Sequence, residues 1–211
     1  MDGFYKLQLK YYNKPIFLAV ISLMIILIIC VKFKLLPLPS GPFFHIIALT
    51  IATNHVDGKI SIFKQNHFFK TLVVMPIPRQ KIVSGIFIFQ ALYVFLIYLI
   101  FIPFLWYFKE NSDEFITFGM VQYLGFFTVS LLAVAYMLYK YFQNPASDKV
   151  RGSSFGFLYS FILLMVHLIL TSIEHEPTFI ARLAIVPIIS IYLYYHFYKK
   201  AVVAFMKKDV L

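Results

Sequence analysis

Uncharged apolar runs alternate with short charged connections along the whole of this chain. Stretches free of Asp, Glu, Lys and Arg cover residues 15–31, 35–56, 82–108, 115–139, 152–173 and 183–198. A helix needs about 20 apolar residues to cross a bilayer, and its backbone hydrogen bonds must close within the segment. The pattern therefore predicts an all-α polytopic membrane protein with six transmembrane helices. Two runs need adjustment. Pro37, Pro39 and Pro42 crowd the start of the second, so its helix is expected from about Pro42, where proline suits a first turn. The last is short unless it extends back past Arg182 to Pro177, with Arg182 snorkelling towards the interface. The expected spans are thus about 15–31, 42–56, 82–108, 115–139, 152–173 and 177–198, in one domain of residues 1–211. The first run is longer than a signal-peptide core and no small-x-small site follows it, so it is expected to be retained.

Composition agrees with a lipid solvent. The chain is 61% hydrophobic and 13% charged, about half the charge usual for a soluble domain, and its mean hydropathy is +0.82. Charge then sets the orientation, because Lys and Arg in short loops favour the cytoplasmic side. With both termini cytoplasmic, fifteen of the 19 basic residues fall in inner segments. The outer segments hold Lys32, Lys34, Lys109 and Arg182, together with Glu110, Asp113, Glu114, Glu174 and Glu176. The basic residues flank spans, and no nucleic acid is expected as a partner. Residues 1–14 place Phe4, Leu7 and Leu9 between Lys6, Lys10 and Tyr11-Tyr12. That spacing predicts an amphipathic interfacial helix, although an ordinary basic flank has the same composition.

The longest connection, residues 54–81, gathers aromatic, cationic and helix-breaking residues, and loops of this length usually carry structure or function. Ile60, Phe63, Lys64, His67, Phe68, Lys70 and Thr71 are expected to line a short surface helix. Met75-Pro76-Ile77-Pro78 should end it, since each proline disfavours helix in the residue before it. Arg79 and Lys81 mark the inner edge of the third span. Such a segment suits docking, to a membrane surface or a protein, better than catalysis.

Candidate chemistry elsewhere is thin. Gly152-Ser153-Ser154-Phe155-Gly156 matches G-x-S-x-G, but that motif works as a strand-to-helix turn. Here it opens a predicted membrane helix, with His167 about 20 Å away along the axis. Gly152 and Gly156 are better read as a G-x-x-x-G surface for helix packing. Glu174-His175-Glu176 lies on a predicted outer turn before Pro177 with no second ligand cluster nearby, so no metal site is expected. His45 and His167 fall inside runs, as functional candidates or as neutral imidazoles bonded to neighbouring helices. His196 joins Tyr194, Tyr195 and Tyr198 in an interfacial belt. The lone cysteine, Cys30, precludes an internal disulfide. A membrane-embedded enzyme would need carboxylates or a Ser–His pair within its spans, and every Asp and Glu lies outside the uncharged runs. A channel or membrane assembly factor is the other alternative, but the third run offers only Ser84, Gln90 and a few aromatics as a polar stripe.

The run Met75, Pro76, Ile77, Pro78, Arg79, Gln80, Lys81, Ile82, Val83, following a charged turn and a short helix, resembles permease subunits of type-two ATP-binding-cassette exporters. Within that family the chain is most similar to the small permeases of phenol-soluble-modulin exporters and peptide-immunity transporters. It departs from the pattern at Pro78, where Ser or Thr is usual, and at Ile86, near a place often held by Lys. The resemblance implies that residues 57–81 are a cytoplasmic coupling segment that docks on a separate ATPase, through Lys59, Phe63, Lys64, His67, Phe68, Lys70 and Arg79. It also implies a second permease, as homodimer or heterodimer, surrounding membrane lipids, and an amphipathic or hydrophobic cargo such as a cytolytic or antimicrobial peptide. The chain has no GxxxxGK[ST] loop. No catalytic residue or cofactor is expected in it, and ATP and Mg would be bound by the partner. A bacterial plasma membrane is the expected location.

Overall fold

The computed structural model describes residues 41–65, 68–74, 76–110, 116–144 and 179–207, with scattered positions in 21–33 and 162–169. Five helices follow in order: α1, Gly41–Gln65; α2, Phe68–Val74; α3, Arg79–Glu110; α4, Ile116–Gln143; and α5, Phe179–Met206. No strand occurs among the described residues. Among the described residues, two helical stretches are long and apolar enough to cross a membrane, Arg79–Pro103 with 25 residues and Tyr123–Gln143 with 21. The predicted interfacial helix at 1–14 and most of the first and fifth runs, Gly152 and Gly156 included, lie outside the described residues.

Helix α1 begins at Gly41-Pro42, where the missing amide of proline costs nothing. The charge pattern breaks this segment at Val56, but the backbone does not break there. The helix continues through Asp57-Gly58-Lys59 to Gln65, because its packing stripe continues: Ala48, Ala52, Val56 and Ile60 recur every fourth residue and all are buried. Two alanines in that stripe let the backbone approach its neighbours closely. Residues 57–65 are therefore the last turns of a long helix rather than a separate surface element.

Helix α2 is short and sits between α1 and α3. Leu72 pins it, being wholly buried, and it ends at Val74, just before the two prolines. The Pro78 carbonyl then accepts hydrogen bonds from the amides of Lys81, at 2.8 Å, and Ile82, at 3.2 Å. Pro78 thus starts α3 with a fixed φ and an acceptor for the first amides of the helix.

Between Ile82 and Phe108, helix α3 is apolar on every side apart from Ser84 and Gln90, a pattern of wholly buried and of membrane-crossing helices. One face is buried, with Ile82, Ile86, Tyr93, Val94, Ile97 and Phe101. The opposite face exposes Ile88, Leu92, Phe95, Leu96, Leu99 and Ile102, a stripe suited to acyl chains rather than water. Pro103 lies inside the helix without ending it. Helix α4 is central and packs against α1, α3 and α5. Leu132, Ala133, Val134 and Ala135 are buried in succession, which covers every side of one full turn. Two of its buried hydroxyls are bonded: Thr128 Oγ1 donates to the carbonyls of Leu124 and Gly125 at 3.0 and 2.9 Å, and Ser130 Oγ lies 2.8 Å from the Tyr98 hydroxyl of α3.

At Gly58 of α1 the helix could gain a side chain at no steric cost, since an added Cβ meets nothing within 4 Å. Gly58→Ala should stabilise the protein by about 0.5–1 kcal/mol, because glycine in a helix interior loses more backbone entropy than alanine. A thermal unfolding midpoint in detergent that stays put or falls would contradict this account of α1 as an uninterrupted helix.

Candidate functional site

Three helix ends meet at one end of the bundle. Arg79, the first residue of α3, donates from Nη1 to the Met206 carbonyl at 2.9 Å and to the Phe205 carbonyl at 3.4 Å, and its guanidinium lies 5.9 Å from the Phe205 ring centre. The Phe142 ring of α4 packs against Phe205 at 5.4 Å. The last carbonyls of a helix have no partner within it and carry the negative end of the macrodipole. Helix α5 has no basic residue in its own last turn. Arg79 supplies that charge from another helix.

Below this clamp the α3–α5 contact continues in rungs. Ser84 Oγ donates to the Gln80 carbonyl at 2.8 Å and lies 2.7 Å from the Tyr198 hydroxyl. With its one proton spent on Gln80, Ser84 accepts from Tyr198. The Tyr194 hydroxyl donates to the Phe87 carbonyl at 3.1 Å, and the Phe87 ring meets Tyr194 and Tyr198 edge-on. Residue numbers rise on α3 as they fall on α5, so the two helices are antiparallel. On α4, Tyr139 stacks on Phe197 at 5.6 Å and Tyr136 meets the same ring edge-on at 5.2 Å. Lys140 Nζ lies 5.7 and 5.5 Å above the rings of Tyr136 and Tyr139 and donates to Gln143 Oε1 at 3.2 Å. Lys199 Nζ lies 4.6 Å above Tyr195.

The segment predicted to dock runs directly into the clamp. Lys59, Phe63 and Lys64 fall on the last turns of α1, Phe68 and Lys70 on α2, and Arg79 at the start of α3. The side chains of the first five lie outside the described residues, as does His67. Arg79 turns inward onto α5 rather than outward, and Gln80 and Lys81 beside it are exposed.

A second polar group lies deeper. His55 of α1 is buried and stacks on Tyr93 of α3, with ring centres 3.5 Å apart and 12° between planes. Gln90 and Ser190 are also buried, and Gln90 Oε1 and Ser190 Oγ find no hydrogen-bond partner among the described residues. Continuing the rungs from 87 and 194 brings Gln90 and Ser190 to the same level of the α3–α5 seam. Sequence reasoning singled out His45 and His167 instead. The signal for this level was Gln90, the one amide in the third run, but its helix partner cannot be read without the register. Among the described residues no group of three His, Cys, Asp or Glu side chains comes together to hold a metal. Comparison of the chain with family models, with curated proteins and with solved structures returned no match.

The seam should have a measurable cost of removal. Arg79→Ala is expected to destabilise the protein by about 2 kcal/mol, within the range for hydrogen bonds to a charged group, and Tyr198→Phe by about 1 kcal/mol. Unfolding midpoints indistinguishable from the parent in both variants would show that the clamp contributes nothing.

Proposed function

We propose that this chain is a transmembrane permease subunit of a type-two ATP-binding-cassette exporter, and that it moves an amphipathic or hydrophobic cargo, such as a cytolytic or antimicrobial peptide, out of the cell. The observation that carries the reading is the continuity of the arm. A long helix, a short helix pinned by Leu72 and a Pro-x-Pro turn lead to an arginine bonded to the far end of the chain. A push delivered to α2 would therefore reach α3 and α5 together, which is what a coupling segment must do. The motif at Met75–Val83 and the absence of a phosphate-binding loop favour the same reading.

On this reading the chain forms six spans with both termini cytoplasmic in a bacterial plasma membrane. The end of the bundle with Arg79, Lys140 and Lys199 faces the cytoplasm, in keeping with the charge rule. A second permease, identical or related, completes the pathway. ATP and Mg bind to a separate ATPase, and this chain carries no catalytic residue. Its work is to convert closure of the ATPase into a tilt of its helices, a population shift paid for by nucleotide binding elsewhere.

Two measurements test the proposal. In a cysteine-free background, made by Cys30→Ser, the exposed position Thr71→Cys should react with a membrane-impermeant maleimide only in inside-out vesicles. Lys64→Glu with Lys70→Glu should abolish co-purification of an ATP-binding-cassette ATPase subunit while leaving membrane insertion intact. Labelling from the cell exterior, or undiminished ATPase binding and transport in the double variant, would sink the coupling role.

A further inference from the structure

The clamped end of the bundle carries charge that the clamp does not use. Lys81 lies at the start of α3, Lys140 in the last turn of α4, Lys199 and Lys200 two turns before the end of α5, and Lys207 just past that end. Helices α4 and α5 contain no Asp or Glu, and the one acid of α3, Glu110, is at its opposite end. Within these three helices nothing neutralises the group.

Its layout identifies the counter-charge. Lys199 and Lys200 are successive and point about 100° apart, and Lys81 and Lys140 belong to other helices. In depth, however, the group is narrow. Lys140 is two residues from Phe142 and Lys81 two from Arg79, and both of those residues meet Phe205. Lys199 and Lys207 bracket Phe205 within about 12 Å of helix rise. A compact protein partner presses on one face, whereas charges spread around a bundle at one depth match a plane of anions. Directly beneath them lies a belt of half-buried rings: Tyr136 and Tyr139 on α4, and Phe197 and Tyr198 on α5. This is where aromatic residues sit at a bilayer surface.

We propose that this rim binds the phosphate headgroups of anionic phospholipids, with Lys140 as the principal anchor. The inference rests on the membrane reading given above and adds a lipid requirement to it. Lys140 is preorganised for the role. Two tyrosine faces hold its ammonium and Gln143 takes one of its three donors, which leaves two for a headgroup oxygen. Lys199, held over Tyr195, repeats the arrangement on α5. Exposed Lys200 adds long-range attraction.

The test uses the full chain in a neutral detergent, with bound lipids counted by native mass spectrometry as phosphatidylglycerol or phosphatidylcholine is added. The parent protein should retain phosphatidylglycerol preferentially, and the preference should weaken in high salt. Lys140→Gln with Lys199→Gln should reduce phosphatidylglycerol affinity about tenfold or more, since each lysine near an anionic surface contributes roughly a fivefold factor. Lys140→Arg should retain the preference, and Lys109→Gln, at the opposite end of α3, should leave it unchanged. Equal retention of the two lipids by the parent protein overturns the proposal, as does an unaltered preference in the double variant. Displacement of the lipid by millimolar inorganic phosphate overturns it too, by making the rim a site for free anions. Extraction of the protein from membranes by carbonate would instead overturn the membrane reading itself, so the two failures are distinguishable.

Discussion

The carbonyl groups at the end of α5 must be satisfied, and in this fold they are satisfied by a side chain more than a hundred residues away. Arg79 stands at the positive end of its own helix dipole, an unfavourable place for a cation. It is held there by hydrogen bonds to Phe205 and Met206 and by the Phe205 ring. That exchange, a local cost on α3 against a gain on α5, brings the start of one helix level with the end of another. Once these ends are level, the lower rungs fall into place, with Ser84 opposite Tyr198 and Phe87 opposite Tyr194. The antiparallel register of α3 against α5 therefore has a polar origin, even though the core around it is apolar.

Apolar packing does the rest, with α4 as the hub. Helices in lipid gain little from hydrophobicity alone and depend on close contact and a few internal hydrogen bonds. The small residues Ala133 and Ala135 on α4 and Ala48 and Ala52 on α1 supply the first. The Tyr98–Ser130 bond supplies the second, in a ring cluster with Tyr123 and Phe127.

The all-helical character was legible because long runs without charge admit no other element in lipid, and the break before α3 was legible because two prolines enforce it. The course of residues 57–65 was not. Asp57, Gly58 and Lys59 end a hydropathy window, but helix continuity depends on the buried stripe at every fourth position, and Ile60 extends that stripe past the charges. Arg79 was legible as the start of an apolar helix, while its contact with α5 was not, because the partner carbonyls are backbone atoms and leave no trace in residue type. The His55–Tyr93 stack and the shared level of Gln90 and Ser190 were hidden for a related reason: both follow from register between helices, which single-chain periodicity does not contain. Of the six expected crossings, two are matched by helices with the length and apolarity to span a bilayer.

The unbroken course of α1 bears on how motion would travel. At 25 residues it is a rod about 37 Å long, and a helix without an internal break answers a sideways nudge largely by swinging. His55, stacked on Tyr93, sits ten residues from one tip and fourteen from the other. Were that stack the fulcrum, a displacement at Gln65 would reappear at Gly41 in the opposite direction and about 1.4 times larger, in proportion to the two arms at equal rise per residue. Leverage of this kind would open a gap on the far side of the bundle without unwinding a single turn.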